Sequence, residues 1–380
     1  MKISVAKEIL VNECRVALVP DVIAKLVKQG LEIQVEAGAG EKSFFFDRAY
    51  EQAGAKIISD SNALWGKTKV LLKIGVLEES EVDKLREGSI VISFLNPLGN
   101  PTIVKRLAER KVTAFSMELI PRTSRAQVMD ALSSQANIGG YKAVLLASAA
   151  LPKFFPMLTT AAGTIKPAKV LVMGAGVAGL QAIATARRLG AVVEAFDIRP
   201  EVKEQVQSLG AKFVDVSLKE DTVAEGGYAK ELSEQAKQHT REVLTQHVAV
   251  SDIVITTAQV PGKKAPLLVT KEMVEQMKPG TVIVDMAAGQ GGNCECTQPG
   301  KDVQWNGVTI IGPLNLPATM PVHASELYAK NISALLKLMI KDGELNLDFE
   351  DDIIAGACVT HGGEIRNQKV KDALIVTIGG

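Results

Sequence analysis

Three glycines stand at motif spacing in the middle of this sequence. Gly174, Gly176 and Gly179 form a G-x-G-x-x-G pattern that directly follows an apolar run at residues 169–173, which is typical of a buried strand. Residues 177–189 then repeat apolar side chains at helical spacing. In such a strand–turn–helix unit, glycine permits a tight turn and a close approach of the backbone to a ligand, and the helix N-terminus attracts anions. The pattern therefore predicts a site for the pyrophosphate of a dinucleotide.

An acidic residue at the end of the next apolar run refines this prediction. Asp197 lies about 20 residues beyond the motif, where a carboxylate accepts hydrogen bonds from an adenosine ribose and repels a 2′-phosphate. Arg199 has the opposite tendency, because an arginine near this position can bind that phosphate. Since Asp197 occupies the strand end, the sequence predicts NAD(H) rather than NADP(H) as the bound cofactor. The predicted NAD(H) site also includes Val177, Ile198, Ala258 and Gln259.

The composition limits the other classes of protein. The 380 residues are 47% hydrophobic and 23% charged, which is ordinary for a soluble globular protein, and the length predicts two domains. Lysine plus arginine and aspartate plus glutamate both number 43, so no excess of charge favours nucleic acid or an anionic membrane. Aromatic residues, at 4%, are too few for base-stacking platforms. We therefore expect no nucleic-acid partner.

The sequence predicts neither a metal site nor a membrane segment. Two of the four cysteines, Cys294 and Cys296, form a C-x-C pattern that lacks the spacing of zinc sites, which favours reduced thiols in a cytosolic protein. The most apolar stretch, residues 170–186, is too short and too rich in glycine to span a bilayer. We therefore expect no bound metal and no direct membrane insertion.

Strand-like and helix-like runs alternate along most of the chain, which predicts an α/β fold with parallel sheets covered on both faces. In the first third, residues 70–74 and 89–95 predict strands, and residues 20–29 and 102–111 predict helices. A second series follows, with predicted strands at 169–173, 192–196, 252–257, 281–286 and 308–311. Residues 126–146 predict one helix that connects the two series, and residues 326–340 predict a final amphipathic helix.

The tail of the chain determines the predicted domain boundaries. Beyond residue 341 it is too short and irregular to form a core of its own, so we expect it to pack on the first domain. The predicted organisation is two Rossmann-like domains with parallel sheets. The N-terminal one is discontinuous, with residues 1–133 and 321–380, and is completed by the C-terminal segment. The NAD(H)-binding Rossmann domain comprises residues 134–320.

Beyond the glycine motif, several further stretches are distinctive: K-E at 7–8 with C-R-V-A-L-V-P at 14–20, L-L-K at 71–73, V-P-G-K-K-A-P at 260–266 and M-K-P-G at 277–280. Together with the glycine motif they resemble a known superfamily, the alanine dehydrogenases and the NAD(H)-binding subunits of proton-translocating NAD(P)+ transhydrogenase. The similarity spans nearly the whole chain, which also implies the two-domain fold.

Two positions separate the two branches of this superfamily. In alanine dehydrogenases a catalytic histidine follows a Phe-Leu pair and an aspartate precedes Gln-Gly-Gly, whereas here these positions are Asn96 and Gly289. Interconversion of pyruvate, ammonia and alanine requires proton transfers, so the replacements weigh against that activity. Arg15 and Lys73 retain that family's substrate-binding positions, and we expect them to form structural ion pairs.

Two segments resemble the transhydrogenase branch in particular. Residues 121–137 are similar to that subunit's Arg-Gln-Asp loop, which implies that Arg122, Gln127, Asp130 and Ser133 form the nicotinamide side of the site. The resemblance implies that Arg122 and Asp130 pair and orient the carboxamide, and that Gln127 reaches the second nucleotide. From the residues alone, Asp130 and Ser133 equally fit polar positions in the first turns of a helix. The second segment, residues 225–230, resembles the mobile loop of that branch. The resemblance implies that Gly227 gives the loop backbone freedom and that Tyr228 closes over the cofactor.

The resemblance implies a function and a set of partners. The reaction would be direct hydride transfer from bound NADH to NADP+ held on a partner subunit. The chain would form a homodimer and join an NADP(H)-binding subunit and a membrane-spanning, proton-translocating subunit, so that it is cytoplasmic and peripheral to a membrane. Two alternatives stay open: an amino-acid oxidoreductase like alanine dehydrogenase, and a non-catalytic NAD(H) sensor.

Overall fold

We describe the chain from a computed structural model, which describes residues 1–216, 233–260, 262–341 and 343–378. Its strands, in chain order, are β1 (Lys2–Val5), β2 (Glu32–Glu36), β3 (Lys56–Ile58), β4 (Val70–Leu72), β5 (Ile90–Ser93), β6 (Thr113–Ser116), β7 (Leu158–Thr160), β8 (Gly163–Ile165), β9 (Lys169–Met173), β10 (Val192–Phe196), β11 (Lys212–Phe213), β12 (Ile253–Thr256), β13 (Val282–Asp285), β14 (Asp302–Trp305), β15 (Val308–Ile311), β16 (Ile340–Lys341), β17 (Glu344–Leu345), β18 (Cys358–His361) and β19 (Glu364–Ile365). Its α-helices are α1 (Pro20–Lys28), α2 (Asp47–Gln52), α3 (Ser61–Lys67), α4 (Glu79–Val82), α5 (Pro101–Glu109), α6 (Ala131–Ala150), α7 (Val177–Arg188), α8 (Lys203–Ser208), α9 (Glu234–Val250), α10 (Lys271–Glu275), α11 (Pro321–Met339), α12 (Asp352–Ala357) and α13 (Gln368–Ile378).

The chain divides into two units. The first unit combines Met1–Gln135 with Ala318–Gly380, and the second is Ala136–Pro317. The first unit contains a sheet in the order β19-β18-β6-β5-β4-β1-β2-β3. Strands β1 to β6 are parallel, whereas β18 lies antiparallel to β6 and β19 antiparallel to β18. The C-terminal segment therefore completes the N-terminal sheet, and the predicted discontinuous α/β fold is confirmed.

The second unit is built on a sheet in the order β11-β10-β9-β12-β13-β15-β14. All neighbours in it are parallel except β14, which pairs antiparallel with β15 at one edge. Every residue of β12 and β13 is buried, as expected for parallel strands that are covered on both faces. The chain passes from β9 to β10 on one side and reaches β12 on the other, so the strand order reverses beside β9. In open α/β sheets, ligands bind at this kind of reversal.

The start predicted for the connecting helix at residues 126–146 is wrong. The structure divides this stretch into a 3-10 helix, Ser124–Met129, and α6, which begins at Ala131. The break falls at Asp130, whose backbone leaves the helical region (φ −71°, ψ 85°) while its carboxylate accepts the Ser133 N–H at 2.9 Å. An aspartate in this position caps the helix that follows, so the polar pattern marks a helix start rather than a helix interior.

Helix α7 lies very close to β9 because glycines occupy the turn between them. Gly174 adopts φ +101°, a conformation that L side chains rarely take. A Cβ atom on Gly179 would lie 1.8 Å from the carbonyl oxygen of Gly174. By contrast, a Cβ on Gly176 would meet only the Arg199 side chain, at 3.9 Å. The close packing of helix on strand therefore depends on Gly179, while the space beside Gly176 is open.

These two glycines make a matched pair for a stability test. We expect Gly179→Ala to destabilise the protein by about 3 kcal/mol or more, since the new methyl group would collide with backbone that no rotamer change can move away. Gly176→Ala should cost less than about 1 kcal/mol, as for a helix N-cap without steric conflict. Urea unfolding monitored by circular dichroism compares the two variants. Equal midpoints would contradict the assigned packing role of Gly179.

Candidate functional site

The carboxyl ends of three neighbouring strands, β10, β9 and β12, meet at one edge of the second unit's sheet. Hydrogen bonds tie these ends together at the glycine turn. The Gly174 N–H donates to the Phe196 carbonyl at 2.8 Å, and the Thr257 hydroxyl donates to the Gly174 carbonyl at 2.9 Å. This nucleotide edge, as we call it, comprises Gly174, Gly176, Val177, Gly179, Asp197, Ile198, Arg199, Ala258 and Gln259. The structure therefore brings these predicted site residues to the same end of one sheet.

Gly176 is the N-cap residue of α7 and has extended backbone torsions. Val177 begins the helix, so its N–H belongs to the first turn, in which backbone N–H groups lack partners within the helix. Because the space beside Gly176 is open, an anion can approach these N–H groups and the positive end of the helix dipole.

Asp197 follows β10 directly, and its buried carboxylate accepts from four donors. Oδ2 accepts from the Ala175 N–H at 2.7 Å and from Nη2 of Arg199 at 2.8 Å. Oδ1 accepts from the backbone N–H and from Nε of Arg199, both at 2.9 Å. The hydrogen bond and charge of Asp197 raise the pKa of the Arg199 guanidinium. Arg199 is thus a bidentate partner of the carboxylate that was predicted to recognise ribose.

The Ala258 segment is positioned by two residues that no sequence motif indicated. Asn293 accepts the Ala258 N–H at 3.1 Å and donates to the Ala258 carbonyl at 2.9 Å. Asp285 is fully buried at the end of β13 and holds Asn293 in turn, accepting its N–H at 2.8 Å. Gln259 donates to the Met286 carbonyl at 3.1 Å. Only three-dimensional contacts identify Asn293, because its partners are distant in the sequence and no spacing pattern connects them.

The predicted nicotinamide-side residues lie in one segment of the first unit. Arg122 and Gln127 are exposed, and Asp130 and Ser133 are half-buried. Ser133 donates its N–H and its hydroxyl to the Asp130 carboxylate, at 2.9 and 2.5 Å, so these two residues form the cap of α6. Gly227 and Tyr228, the other predicted site residues, lie outside the described residues.

The segment that carries Gln127 is held at both ends. On one side, Arg125 forms ion pairs with Asp351, at 2.6 Å, and with Asp352. The Arg125 guanidinium lowers the pKa of Asp351. On the other side, Asn331 of α11 donates to the Val128 carbonyl at 2.9 Å. Gln127 is therefore an exposed side chain on an anchored 3-10 turn.

Lys73 and Arg15, at the substrate-binding positions of alanine dehydrogenases, have partners within the protein. The Lys73 ammonium is fully buried, 2.6 Å from Glu81 and 3.6 Å from Glu8. Arg15 forms a bidentate pair with Glu13, at 2.6 and 2.7 Å, and donates to Gln135 at 2.8 Å. Burial raises the pKa of Glu8 and the charge of Lys73 lowers it. The expected structural ion pairs are present.

The positions of the dehydrogenase acid–base groups carry no titratable side chain. Asn96 has a left-handed backbone (φ 43°), which asparagine tolerates, and its N–H donates to Glu118 at 2.8 Å. Burial raises the pKa of Glu118. Gly289 lies in a 3-10 turn, Ala288–Gln290. Neither position therefore offers a group that exchanges protons.

Membrane spans and metal clusters are both absent from the residues that the structure describes. No helix among them is long and apolar enough to cross a membrane. Nor do these residues include a cluster of three or more histidine, cysteine, aspartate or glutamate side chains that could hold a metal ion.

Comparison with known proteins places the chain in a family. Residues 4–139 match the N-terminal domain, and residues 143–368 the C-terminal domain, of the family described as alanine dehydrogenase/PNT. The chain belongs to this family. The predicted superfamily is thereby confirmed.

Its similar relatives are named as transhydrogenase subunits. The chain is 47% identical to the NAD(P) transhydrogenase subunit alpha of Haemophilus influenzae, over 96% of this chain and 71% of the relative. It is also 47% identical to a Rhodospirillum rubrum protein named as the first portion of NAD(P) transhydrogenase subunit alpha, over 96% of this chain and 97% of the relative. The solved structure of a transhydrogenase from Sinorhizobium meliloti superposes with a TM-score of 0.87 at 44% identity, covering 96% of this chain and 100% of that one. The chain is thus homologous to transhydrogenase alpha subunits.

The buried cluster at Lys73 generates a prediction. We expect Lys73→Met to destabilise the protein by about 3–5 kcal/mol at neutral pH, because Glu8 and Glu81 would stay buried without their cation. A carboxyl group whose pKa is raised by folding favours the folded state at low pH and disfavours it once it ionises. Burial already raises the pKa of Glu8, and loss of Lys73 raises it further, so the deficit should grow from pH 5 to pH 8.

Lys56→Met provides the control, since Lys56 forms an exposed pair with Glu32 in the same unit. Such pairs contribute about 0–1 kcal/mol. The measurement is the free energy of unfolding in urea at both pH values. If Lys73→Met behaved like Lys56→Met at pH 8, the buried cluster would not contribute as described.

Proposed function

We propose that this chain binds NAD(H) and takes part in direct hydride transfer between NADH and NADP+ held on a partner subunit. The nucleotide edge supports NAD(H) binding, because three adjacent strand ends present a glycine turn, a helix N-terminus and a carboxylate. These are the groups that the pyrophosphate and the adenosine ribose of a dinucleotide require. NADH, when bound, supplies the hydride.

The residues of the nucleotide edge fit distinct parts of the dinucleotide. The open space beside Gly176 allows the backbone to approach the pyrophosphate, and Gly174 and Gly179 allow the turn that creates this space. Asp197 is the acceptor for ribose hydroxyls, with Ile198 beside it. Ala258 and Gln259 line the same edge, and hydrogen bonds to Asn293 and to Met286 hold them there.

The segment around Gln127 is our candidate for the nicotinamide side. Because its anchors hold the 3-10 turn in place, the exposed Gln127 can contact the partner's nucleotide at a defined position. Arg122, Asp130 and Ser133 orient the carboxamide in this proposal, and the capping bonds of Ser133 fix the direction of the Asp130 carboxylate. Gly227 and Tyr228, which lie outside the described residues, belong to the same cofactor site in this proposal. We assign this segment to a domain of residues 1–133 and 321–380, and the nucleotide edge to a domain of residues 134–320.

Direct hydride transfer suits the lack of acid–base groups at Asn96 and Gly289. A hydride that moves between two nicotinamide rings needs no proton donor or acceptor, so the protein has to position the two rings, at roughly 3–3.5 Å between reacting atoms. Amino-acid oxidation needs proton transfer as well. Lys73 and Arg15 also pair with carboxylates of the protein itself, so these cations already have partners where an amino-acid substrate would need them.

The names of the relatives, which are alpha subunits, support the presence of partner subunits. We propose a homodimer that joins an NADP(H)-binding subunit and a membrane-spanning subunit, so that the chain is peripheral to a membrane on its cytoplasmic side. In that complex, hydride transfer has Re/Si specificity and drives proton translocation through the membrane-spanning subunit.

The nucleotide preference provides one test. We expect wild-type protein to bind NADH more tightly than NADPH, since a 2′-phosphate would meet the Asp197 carboxylate. Asp197→Ala should weaken NADH binding by about tenfold, the usual effect of losing hydrogen bonds to a charged group. Titration by NADH fluorescence measures both affinities. Asp215→Ala removes an exposed carboxylate of the same unit and should change neither. Equal affinities of wild type for the two nucleotides would refute the preference.

The role of Gln127 provides the second test. We expect Gln127→Asn to leave NADH affinity nearly unchanged and to slow hydride transfer by roughly a hundredfold, because a displacement near 1 Å can cost that much. Loss of rate without loss of ground-state binding indicates an interaction made in the transition state. Single-turnover transfer from NADH to an NADP+ analogue, with excess NADP(H)-binding partner, measures the rate.

Ser124→Ala, an exposed change in the same 3-10 helix, should transfer hydride at the wild-type rate. A wild-type rate for Gln127→Asn would assign this segment a structural role only. Alanine with NAD+ should give negligible turnover in all variants. A turnover on the order of 10 per second would favour an amino-acid dehydrogenase instead.

A further inference from the structure

The Asp197 carboxylate has no acceptor capacity left in this structure. A carboxylate offers about four lone-pair sites, two on each oxygen. Oδ1 accepts from the backbone N–H and Nε of Arg199, and Oδ2 accepts from the Ala175 N–H and Nη2 of Arg199. All four sites are therefore occupied by donors of the protein itself.

An adenosine ribose needs two of these sites. Its 2′- and 3′-hydroxyls are adjacent donors, and recognition by a strand-end carboxylate requires a free lone pair on that carboxylate. Two of the present donors, the N–H groups of Ala175 and Arg199, belong to the backbone of the turns after β9 and β10 and cannot leave without moving those turns. The other two, Nε and Nη2, belong to the Arg199 side chain. Departure of this side chain would free one lone pair on each oxygen.

We propose that the Arg199 guanidinium occupies the ribose subsite of the free protein and must leave Asp197 when NAD(H) binds, so that Arg199 sets both the affinity and the NAD(H)/NADP(H) selectivity. This inference rests on the proposed function, since it concerns the same nucleotide edge. Arg199 competes with the ribose for the same acceptors, and part of the binding free energy is spent on breaking the ion pair.

The position of Arg199 agrees with this role. Its Nη2 atom lies 3.9 Å from the place where a Cβ on Gly176 would be, so the guanidinium lies beside the glycine that faces the pyrophosphate. Its side chain is 18% exposed, whereas that of Asp197 is 6% exposed. The guanidinium therefore has contact with solvent, whereas the carboxylate is almost completely enclosed.

The ion pair also changes how Asp197 discriminates between nucleotides. An uncompensated carboxylate repels a 2′-phosphate, but the guanidinium neutralises that charge and offers planar donors suited to phosphate. Arg199 therefore disfavours NADH by competition and favours NADPH by charge. Its removal should move the two affinities in opposite directions, which a purely structural role would not do.

Equilibrium titration of three nucleotides tests this inference. The ligands are NADH, NADPH and an NADH analogue that lacks the adenosine 2′-hydroxyl, each followed by isothermal titration calorimetry. We expect Arg199→Met to bind NADH more tightly than wild type and NADPH more weakly, raising the selectivity by about tenfold, the equivalent of about 1.4 kcal/mol. Loss of the 2′-hydroxyl should cost more in Arg199→Met than in wild type, because the hydroxyl no longer has to displace the guanidinium.

Two further variants distinguish the bidentate pair from general charge. Arg199→Lys retains a cation but not the planar fork, and should have an intermediate selectivity. Lys203→Met removes an exposed cation that is close to Arg199 in the sequence and pairs with Asp215. This variant should keep the three affinities in the wild-type ratio. If Arg199→Met weakened all three ligands by the same factor, the competition would be refuted, whereas the proposed NAD(H) binding would stand. If the wild type bound no NADH, both would fail.

A second measurement follows proton exchange in the wild-type protein and uses a variant only to assign one signal. In ¹⁵N-arginine NMR spectra, the Nε–H signal that is absent from Arg199→Lys is assigned to Arg199. We expect this proton to exchange slowly with water in the free protein, because it donates to a buried carboxylate, and to exchange faster when ADP-ribose is added. An exchange rate that ADP-ribose leaves unchanged would overturn the proposal.

Discussion

The close contact between β9 and α7 is the constraint on which the candidate site depends. The carbonyl oxygen of Gly174 lies where only a residue without a side chain, Gly179, can pack against it. The same carbonyl accepts the Thr257 hydroxyl after β12, and the Gly174 N–H donates to the last residue of β10. One turn therefore holds three strand ends together. A side chain that moved α7 outward would also disturb the positions of Gly176, Asp197 and Ala258, which follow three different strands.

Buried charge is handled differently in the two units. In the first unit, the fully buried Lys73 ammonium has a carboxylate partner on each of two residues, Glu8 and Glu81. In the second, Asp197 is compensated by Arg199, which keeps partial access to solvent. Removing a partner from a fully buried pair leaves an uncompensated charge, whereas a partly exposed partner can be exchanged for a ligand. The buried cluster around Lys73 therefore suits a structural role, whereas the Asp197–Arg199 pair suits the binding of a ligand.

The sequence predicted the sheets well because their strands are continuous apolar runs. The bounds predicted for residues 169–173, 192–196 and 308–311 are those of β9, β10 and β15. The break before α6 was missed because polar residues in the first turns of a helix do not show where that helix begins, whereas the hydrogen bonds of Ser133 to Asp130 do. Asn293 was missed since its contacts join segments far apart in the chain. The sequence indicated both Asp197 and Arg199, but only the three-dimensional structure shows that their side chains pair. The role of Gln127 stays a prediction.

Affinity and rate should depend on different residues in this protein. In our proposal the nucleotide edge binds groups that do not react, so its contacts would be equally strong before and during hydride transfer and would set occupancy without lowering the barrier. The barrier depends on the alignment of two rings, which falls to the Gln127 segment in our proposal. Under this proposal, Arg199 adjusts how tightly NADH is held without altering the transfer step. In the proposed reaction the oxidised nucleotide has to leave after each transfer, so a residue that changes only the affinity can change the release of the nucleotide without disturbing the alignment of the rings.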